Sequence, residues 1–348
     1  MARFEWRRFR SLGAAAIALT ITAGGAPPTI TAATGSLYVS TEGDDANAGT
    51  TSDTAFRTLR QALRAATPGT TVRILPGTYV ESVRREVIGE PGNPITIVGE
   101  GGRPVFSGGR IERYGLWLDQ NAHVIVKNIE FRDYTTIGVL VVQSDDITLR
   151  RLRVRDNGFS SQIKWAEGYG ILLDESSNLL VERNNVFGNG PNPRPFNMAG
   201  TGIDGYRMLN AVIRKNRSHH NNGGGILVED SVNVLVKRNT IYGNDLDVSA
   251  DGWWDGGIWL DGGRDVTLVG NRIYDNLGPA IEISDEDCQE PTGYVVKRNI
   301  TPDNYFGIFV WNFGTEDFPK PPILTLKGND FSGNQRVDVW IEPWQGRC

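Results

Sequence analysis

The run Val234-Leu235-Val236-Lys237-Arg238-Asn239-Thr240-Ile241-Tyr242-Gly243-Asn244 carries the pattern that decides the fold. An alternating strand ends in an asparagine, a short apolar piece follows, and a second asparagine stands five residues after the first. The same pair recurs as Asn184 and Asn189, Asn216 and Asn221, Asn271 and Asn276, Asn299 and Asn304, and Asn329 and Asn334. The first asparagines lie 23 to 32 residues apart, so a core coil is enlarged by loops of variable length. Near the second asparagine of each unit stands a Gly-Ile or similar pair, as in Gly202-Ile203, Gly225-Ile226, Gly257-Ile258, Ala280-Ile281 and Gly307-Ile308. Each unit reads as three short strands and three turns.

Such a unit cannot bury a face alone. Stacked at about 4.8 Å per coil, identical side chains line up and asparagine amides at a bend can hydrogen-bond from coil to coil. The ladder satisfies turn groups that would otherwise be buried unpaired, and asparagine tolerates the left-handed backbone of a sharp bend. The pattern predicts an all-β chain, a right-handed parallel β-helix of about ten coils with Asn ladders. In these asparagine pairs and Gly-Ile strands, residues 36–345 resemble the pectin-lyase-like superfamily. The resemblance implies extracellular polysaccharide lyases, uronan epimerases and glycoside hydrolases, and it transfers no catalytic motif residue by residue.

The ends of the chain read differently. Arg3, Arg7, Arg8 and Arg10 precede the apolar stretch from Leu12 to Ala23, and small residues with Pro27 and Pro28 follow. Residues 1–35 are therefore read as a signal peptide and leader, which predicts a secreted or periplasmic protein with no membrane segment once the signal is removed. Residues 36–348 form a single β-helix domain in this reading. Residues 36–70 are its N-terminal cap, with an amphipathic helix from Phe56 to Ala66. The formal charge of −5 becomes −8 without the leader's four arginines and one glutamate, which argues against a nucleic-acid partner. Cys288 and Cys348 stand as either a disulfide or two free thiols. The expected assembly state is a monomer.

Period-two alternation turns the Ile of each Gly-Ile pair inward and the next residue outward. One outward column then runs Leu172, Asp204, Leu227, Trp259, Glu282 and Phe309, and the next runs Asp174, Tyr206, Glu229, Asp261, Ser284 and Trp311. Carboxylates and aromatics share a face bordered by long loops, a groove suited to an extended polysaccharide. Trp253, Trp254, Trp259 and Trp311 are expected as sugar platforms, with Lys164 as a further substrate contact. Asp204, Tyr206, Arg207 and His220 supply charge neutralisation, a proton donor and a base, and are the expected catalytic set. Gly205 stands where other coils place an inward Leu173, Val228, Leu260 or Ile283, which points to a backbone or loop requirement, or to a loop aromatic filling the gap.

The carboxylates admit two mechanisms. Glu229, Asp261 and Glu282 could hold Ca²⁺, and a calcium bridging a uronate carboxylate would assist β-elimination by a polysaccharide lyase. Alternatively, carboxyls on neighbouring coils could serve as the acid and base of an inverting glycoside hydrolase, whose pair lies about 6.5 to 9.5 Å apart. A third reading is a non-catalytic carbohydrate-binding β-helix at a surface.

Overall fold

Residues 35–158, 168–190, 200–246, 255–286, 292–313 and 323–342 are described by the computed structural model of the chain. Almost every element is a strand of three to six residues. The strands assemble into three parallel sheets of eleven, ten and eight strands. Within each sheet, neighbours in space are successive coils, as where Ile203–Tyr206 pairs with Ile226–Glu229 and that strand with Ile258–Asp261. The chain thus visits the three walls in turn and climbs one strand spacing per circuit. Inward side chains, among them Ile171, Ile203, Ile226, Ile258, Ile281 and Ile308, are fully buried and make a continuous apolar column up the axis.

Both asparagine ladders are formed. The Asn184 amide donates to Asn216 Oδ1 at 3.1 Å, Asn216 to Asn239 at 3.1 Å, Asn239 to Asn271 at 3.0 Å and Asn271 to Asn299 at 2.9 Å. The second ladder runs from Asn157 through Asn189, Asn221, Asn244, Asn276 and Asn304 to Asn334. Asn244 shows the arrangement. Its Oδ1 accepts from the amide group and the backbone N–H of Asn221, while its own amide donates to Asn276 Oδ1 and to the carbonyl of Ser218. Every polar valence of a fully buried side chain is used. The glycines of the Gly-Ile pairs follow from this crowding, since a Cβ on Gly170 would stand 2.9 Å from the Asn189 amide nitrogen and 2.5 Å from the carbonyl of Gly202.

Two expectations change here. The helix spans Leu59–Ala65 and not Phe56 to Ala66, because the Thr58 side chain caps it by accepting from the Gln61 N–H, while Phe56 exchanges backbone hydrogen bonds with Tyr38 and Ser40. Leu59, Ala62 and Leu63 form its buried face. The gap at Gly205 reflects neither a loop requirement nor a loop aromatic. Met208, three residues further on, turns inward and fills it, and a Cβ on Gly205 would lie 2.1 Å from the methionine Cε. Met208 is itself 1% exposed, so core volume is conserved by a side chain from the adjoining turn.

Replacing Asn244 by alanine orphans two donors on Asn221 and an acceptor on Asn276. We expect a loss of about 2–3 kcal/mol in stability, read as a lowered urea midpoint with an unchanged denaturant slope; a midpoint equal to the parent's would show that the ladder carries no net stability.

Candidate functional site

The outward columns stand in the expected register on the ten-stranded sheet. Asp204 lies between Leu172 and Leu227, Glu282 between Trp259 and Phe309, and Asp261 between Glu229 and Ser284. Their exposure differs from the expectation of an open groove floor, because Asp204 is 4% exposed, Asp261 6% and Glu282 1%. Asp174, Glu229, Trp259 and Trp311 are half-buried. The carboxyls sit beneath the surface, and their chemistry follows from that.

Two pairs repeat one geometry. Asp174 is registered with Tyr206, so Asp204 stands one strand over and two residues back from it. Asp261 is registered with Ser284, which places Glu282 in the same relation to Asp261. A strand spacing of about 4.8 Å and two residues of about 3.3 Å each give a diagonal of about 8 Å between backbones. In the first pair, burial pushes Asp174 up to about 6, with the Glu175 charge adding and the Arg207 charge opposing. Burial pushes Asp204 up to about 7 against a hydrogen bond with Thr201, and the Asp174 charge adds to the rise. In the second pair, burial and then the charge of Glu286 push Asp261 up to about 7. Burial drives Glu282 well above the ordinary glutamate range, and the charges of Asp255, Glu286 and Asp261 add to it.

Elsewhere the same molecule treats buried carboxylates in the opposite way. Glu182, 2% exposed, is clamped by Arg150 and by Arg214 Nε at 2.8 Å, and despite desolvation these partners hold it below its ordinary value. Glu130, 6% exposed, meets Arg155 at 2.8 Å and Arg153 at 3.5 Å. Asp204, Asp261 and Glu282 have no ion pair among the described residues. A buried carboxyl left without a cation is kept neutral near pH 7 and becomes a proton donor, which is the tuning that acid–base sites use.

The two pairs differ in how much of them is already engaged. Asp261 Oδ1 accepts from Ser284 Oγ at 2.7 Å and from the Glu286 N–H at 3.0 Å, and Trp259 Nε1 donates to Ser284 Oγ at 2.7 Å. Trp311 Nε1 donates to Glu282 Oε1 at 2.7 Å, leaving Oε2 without a partner among the described residues. Trp259 and Trp311 thus brace the carboxyls through their indole N–H groups and keep half-buried rings at the surface. Around the first pair, the Arg207 guanidinium lies 4.6 Å from the Tyr206 ring centroid and 3.8 Å from both Glu175 and Asp230. Asp174 makes no side-chain hydrogen bond among the described residues. Its importance was missed at the sequence level, although its place diagonal to Asp204 follows from the strand register.

His220 is not brought to this site. It follows the eight-stranded sheet, with Nδ1 2.9 Å from His219 Nδ1 and its ring edge-on to Tyr242. His219 stacks between Phe187 and Tyr242, as its position in the tyrosine column predicts. Lys164, Trp253, Trp254, Cys288 and Cys348 lie outside the described residues, as do residues 1–34. Among the described residues, no group of three or more His, Cys, Asp or Glu side chains converges where a metal ion could sit. Glu229, Asp261 and Glu282 would supply only part of the six to eight oxygen ligands that Ca²⁺ takes.

A family model described as a right handed beta helix region matches residues 80–193 and 159–335. The chain belongs to that right-handed β-helix family. A second model, described as a protein of unknown function, DUF1565, matches residues 41–98. The chain is 27% identical to the uncharacterized protein YwoF of Bacillus subtilis (strain 168) over 86% of its own length and 78% of YwoF. Its fold is similar to that of pectate lyase Pel9A, with a TM-score of 0.63 at 15% identity over 86% of this chain and 78% of that one. It is likewise similar to an alginate lyase from Paenibacillus sp. str. FPU-7, with a TM-score of 0.62 at 14% identity over 89% and 100% of the two chains. These likenesses show the right-handed β-helix fold and leave the chemistry to the site. No helix among the described residues is long and apolar enough to cross a membrane.

Asp204 binds its proton more tightly folded than unfolded, so its contribution to stability is intact below the ordinary aspartate range and is lost as pH rises through about 7. Asp204→Asn is expected to match the parent near pH 4 and to exceed it by up to about 4 kcal/mol near pH 8. Urea unfolding at the two pH values checks this; an equal difference at both would show that Asp204 is charged throughout.

Proposed function

We propose that the protein hydrolyses an extended polysaccharide, with Asp204 as general acid and Asp174 as general base. The observation that carries this reading is the diagonal placement of two cation-poor carboxyls whose proton affinities differ in the useful direction. Asp204, pushed up to about 7, holds a proton for the glycosidic oxygen. Asp174, pushed up to about 6 and drawn toward its anion by Arg207, takes a proton from water. The water oxygen bonds to the anomeric carbon as the glycosidic C–O bond breaks, the leaving oxygen receives the Asp204 proton, and the water proton goes to Asp174. A separation of about 8 Å leaves room for that water and implies inversion at the anomeric centre. Half-buried Trp259 and Trp311, two and four coils from Asp204 along the same sheet, supply apolar faces for sugars in further subsites. The similar folds of polysaccharide-acting enzymes support a glycan as the class of substrate, and export to the periplasm or beyond belongs to the same proposal.

A lyase is the second reading, favoured by Tyr206 and Arg207 beside Asp204. There a neutral Asp204 would donate a hydrogen bond to a uronate carboxylate, and Tyr206 would move protons during β-elimination. The two readings leave different products. Hydrolysis releases saturated reducing ends, whereas elimination releases an unsaturated sugar with a new ultraviolet absorbance, and both are assayed with and without a chelator on a panel of neutral and acidic polysaccharides.

We expect chelator-insensitive release of saturated ends with a bell-shaped kcat/KM profile between about pH 6 and 7. Asp204→Asn and Asp174→Asn should each lower kcat/KM by about 10²–10⁴-fold. Unsaturated products would transfer the function to the lyase reading; binding without turnover would leave a carbohydrate-binding protein.

A further inference from the structure

We propose a second binding surface, a cationic ridge along one turn of the solenoid that holds a linear polyuronate parallel to the helix axis. The turn is the one that leads from the eleven-stranded sheet into the first asparagine ladder. Its left-handed positions hold Arg151, Arg183, Lys215, Arg238 and Arg298, all exposed, with Gly270 among them and Asn128 and Gly328 at the two ends. Each cationic residue donates its backbone N–H to the strand-end residue of the next coil, so the five cations recur in one line from coil to coil. From Arg151 to Arg298 the line runs five steps of about 4.8 Å, or about 24 Å. The strand-end column beside it adds Lys127, Arg150, Arg214, Lys237, Lys297 and Lys327.

Ordinary solvation of a repetitive surface does not produce this distribution. Three other left-handed positions recur in the same coils, and the one after the ten-stranded sheet holds Gln120, Gln143, Glu175, Arg207 and Asp230. A second holds Asp146, Asn178, Asn210, Asn233 and Asp265. The third holds Asp133, Asp156, His220, Asp275 and Asp303. Among the described residues outside the ridge turn, arginine takes only two left-handed positions, Arg110 and Arg207, and lysine none, in a chain whose formal charge is −5. Arg150 and Arg214 are neutralised by Glu182, but Arg183, Lys215, Lys237, Arg238, Lys297 and Arg298 form no ion pair among the described residues. A row of uncompensated like charges raises the local concentration of a matching polyanion.

The form of the row selects the occupant. It is one to two charges wide, straight, and stepped by one coil, a rise comparable to one sugar ring, so a polymer with one carboxylate per sugar presents charges at similar intervals. Single-stranded nucleic acid fits less well, because it needs open aromatic faces for its bases. The neighbouring aromatic row stacks on itself, with centroids of Phe187, His219, Tyr242 and Tyr274 separated by 4.9, 4.6 and 5.1 Å, so both faces of His219 and Tyr242 are covered. The ridge lies on a different wall from Asp174 and Asp204. It would anchor the protein on an acidic glycan whatever bond the carboxyl site cleaves.

Affinity electrophoresis through gels containing alginate, a neutral galactomannan or neither tests the proposal, with single-stranded DNA and anionic phospholipid vesicles as competitors. The parent should be retarded by alginate alone, and the retardation should fade as salt is raised. The triple variant Arg183→Gln, Lys215→Gln, Arg238→Gln should bind alginate at least about tenfold more weakly at an unchanged thermal midpoint. Asp204→Asn should be retarded like the parent, which separates failure of the ridge from failure of the catalytic reading. Absence of retardation, equal retardation by galactomannan, retardation untouched by the triple variant, or stronger competition by DNA or vesicles than by free alginate would each overturn it.

Discussion

The asparagine amide that passes a hydrogen bond from one coil to the next is the interaction on which the rest of the molecule depends. An interior ladder asparagine such as Asn244 accepts twice and donates twice, and no other side chain of that length offers two donors and an oxygen to a neighbour identical to itself. Aspartate would stack like charges, and leucine would strand the backbone N–H of the coil before. The ladders therefore fix register as well as energy. A coil that slipped by one residue would break both rows at once and turn every inward isoleucine outward.

Register turns each position of the coil into a column, and a column repeats whatever is placed in it at about 4.8 Å. Charge becomes the main thing such a fold must manage. Glu130 and Glu182 show the structural solution, a buried carboxylate closed between arginines of adjacent coils. The pairs Asp174 with Asp204 and Asp261 with Glu282 lack that solution, and burial raises their proton affinity instead. Stability is lost at these pairs, and the indole N–H of Trp311 on Glu282 offsets only part of the cost.

The columns were legible in the sequence because the asparagine pairs set a phase that strand alternation then carries through every coil. What lay off the strands was not legible. Met208 enters the core from a turn, so Gly205 looked like an unfilled position. His220 occupies a left-handed turn residue whose φ of 54° directs it along the eight-stranded wall toward His219 and Tyr242. Burial of the carboxyls was hidden for a related reason. Alternation says which side of a sheet a residue faces, while the covering of that side comes from segments that carry no period. Asp174 was visible in its column, but its role depended on the proton affinity of its diagonal neighbour, which only burial reveals.

A registered stack also restricts the chemistry that carboxyls can perform. On one wall, two groups can stand about 4.8 Å apart in a column, about 8 Å apart on a diagonal, or about 10 Å apart across two coils. The in-column pair Glu229 and Asp261 has the short spacing that suits a covalent glycosyl intermediate. Yet Asp261 Oδ1 already accepts from Ser284 Oγ and from the Glu286 N–H, which engages one of its two carboxyl oxygens. The diagonal pair of Asp174 and Asp204 has the longer spacing, and Asp174 is free of side-chain hydrogen bonds among the described residues. In a lattice with so few distances, the proposed assignment of Asp174 and Asp204 as base and acid rests on the diagonal spacing, which suits a water molecule between them.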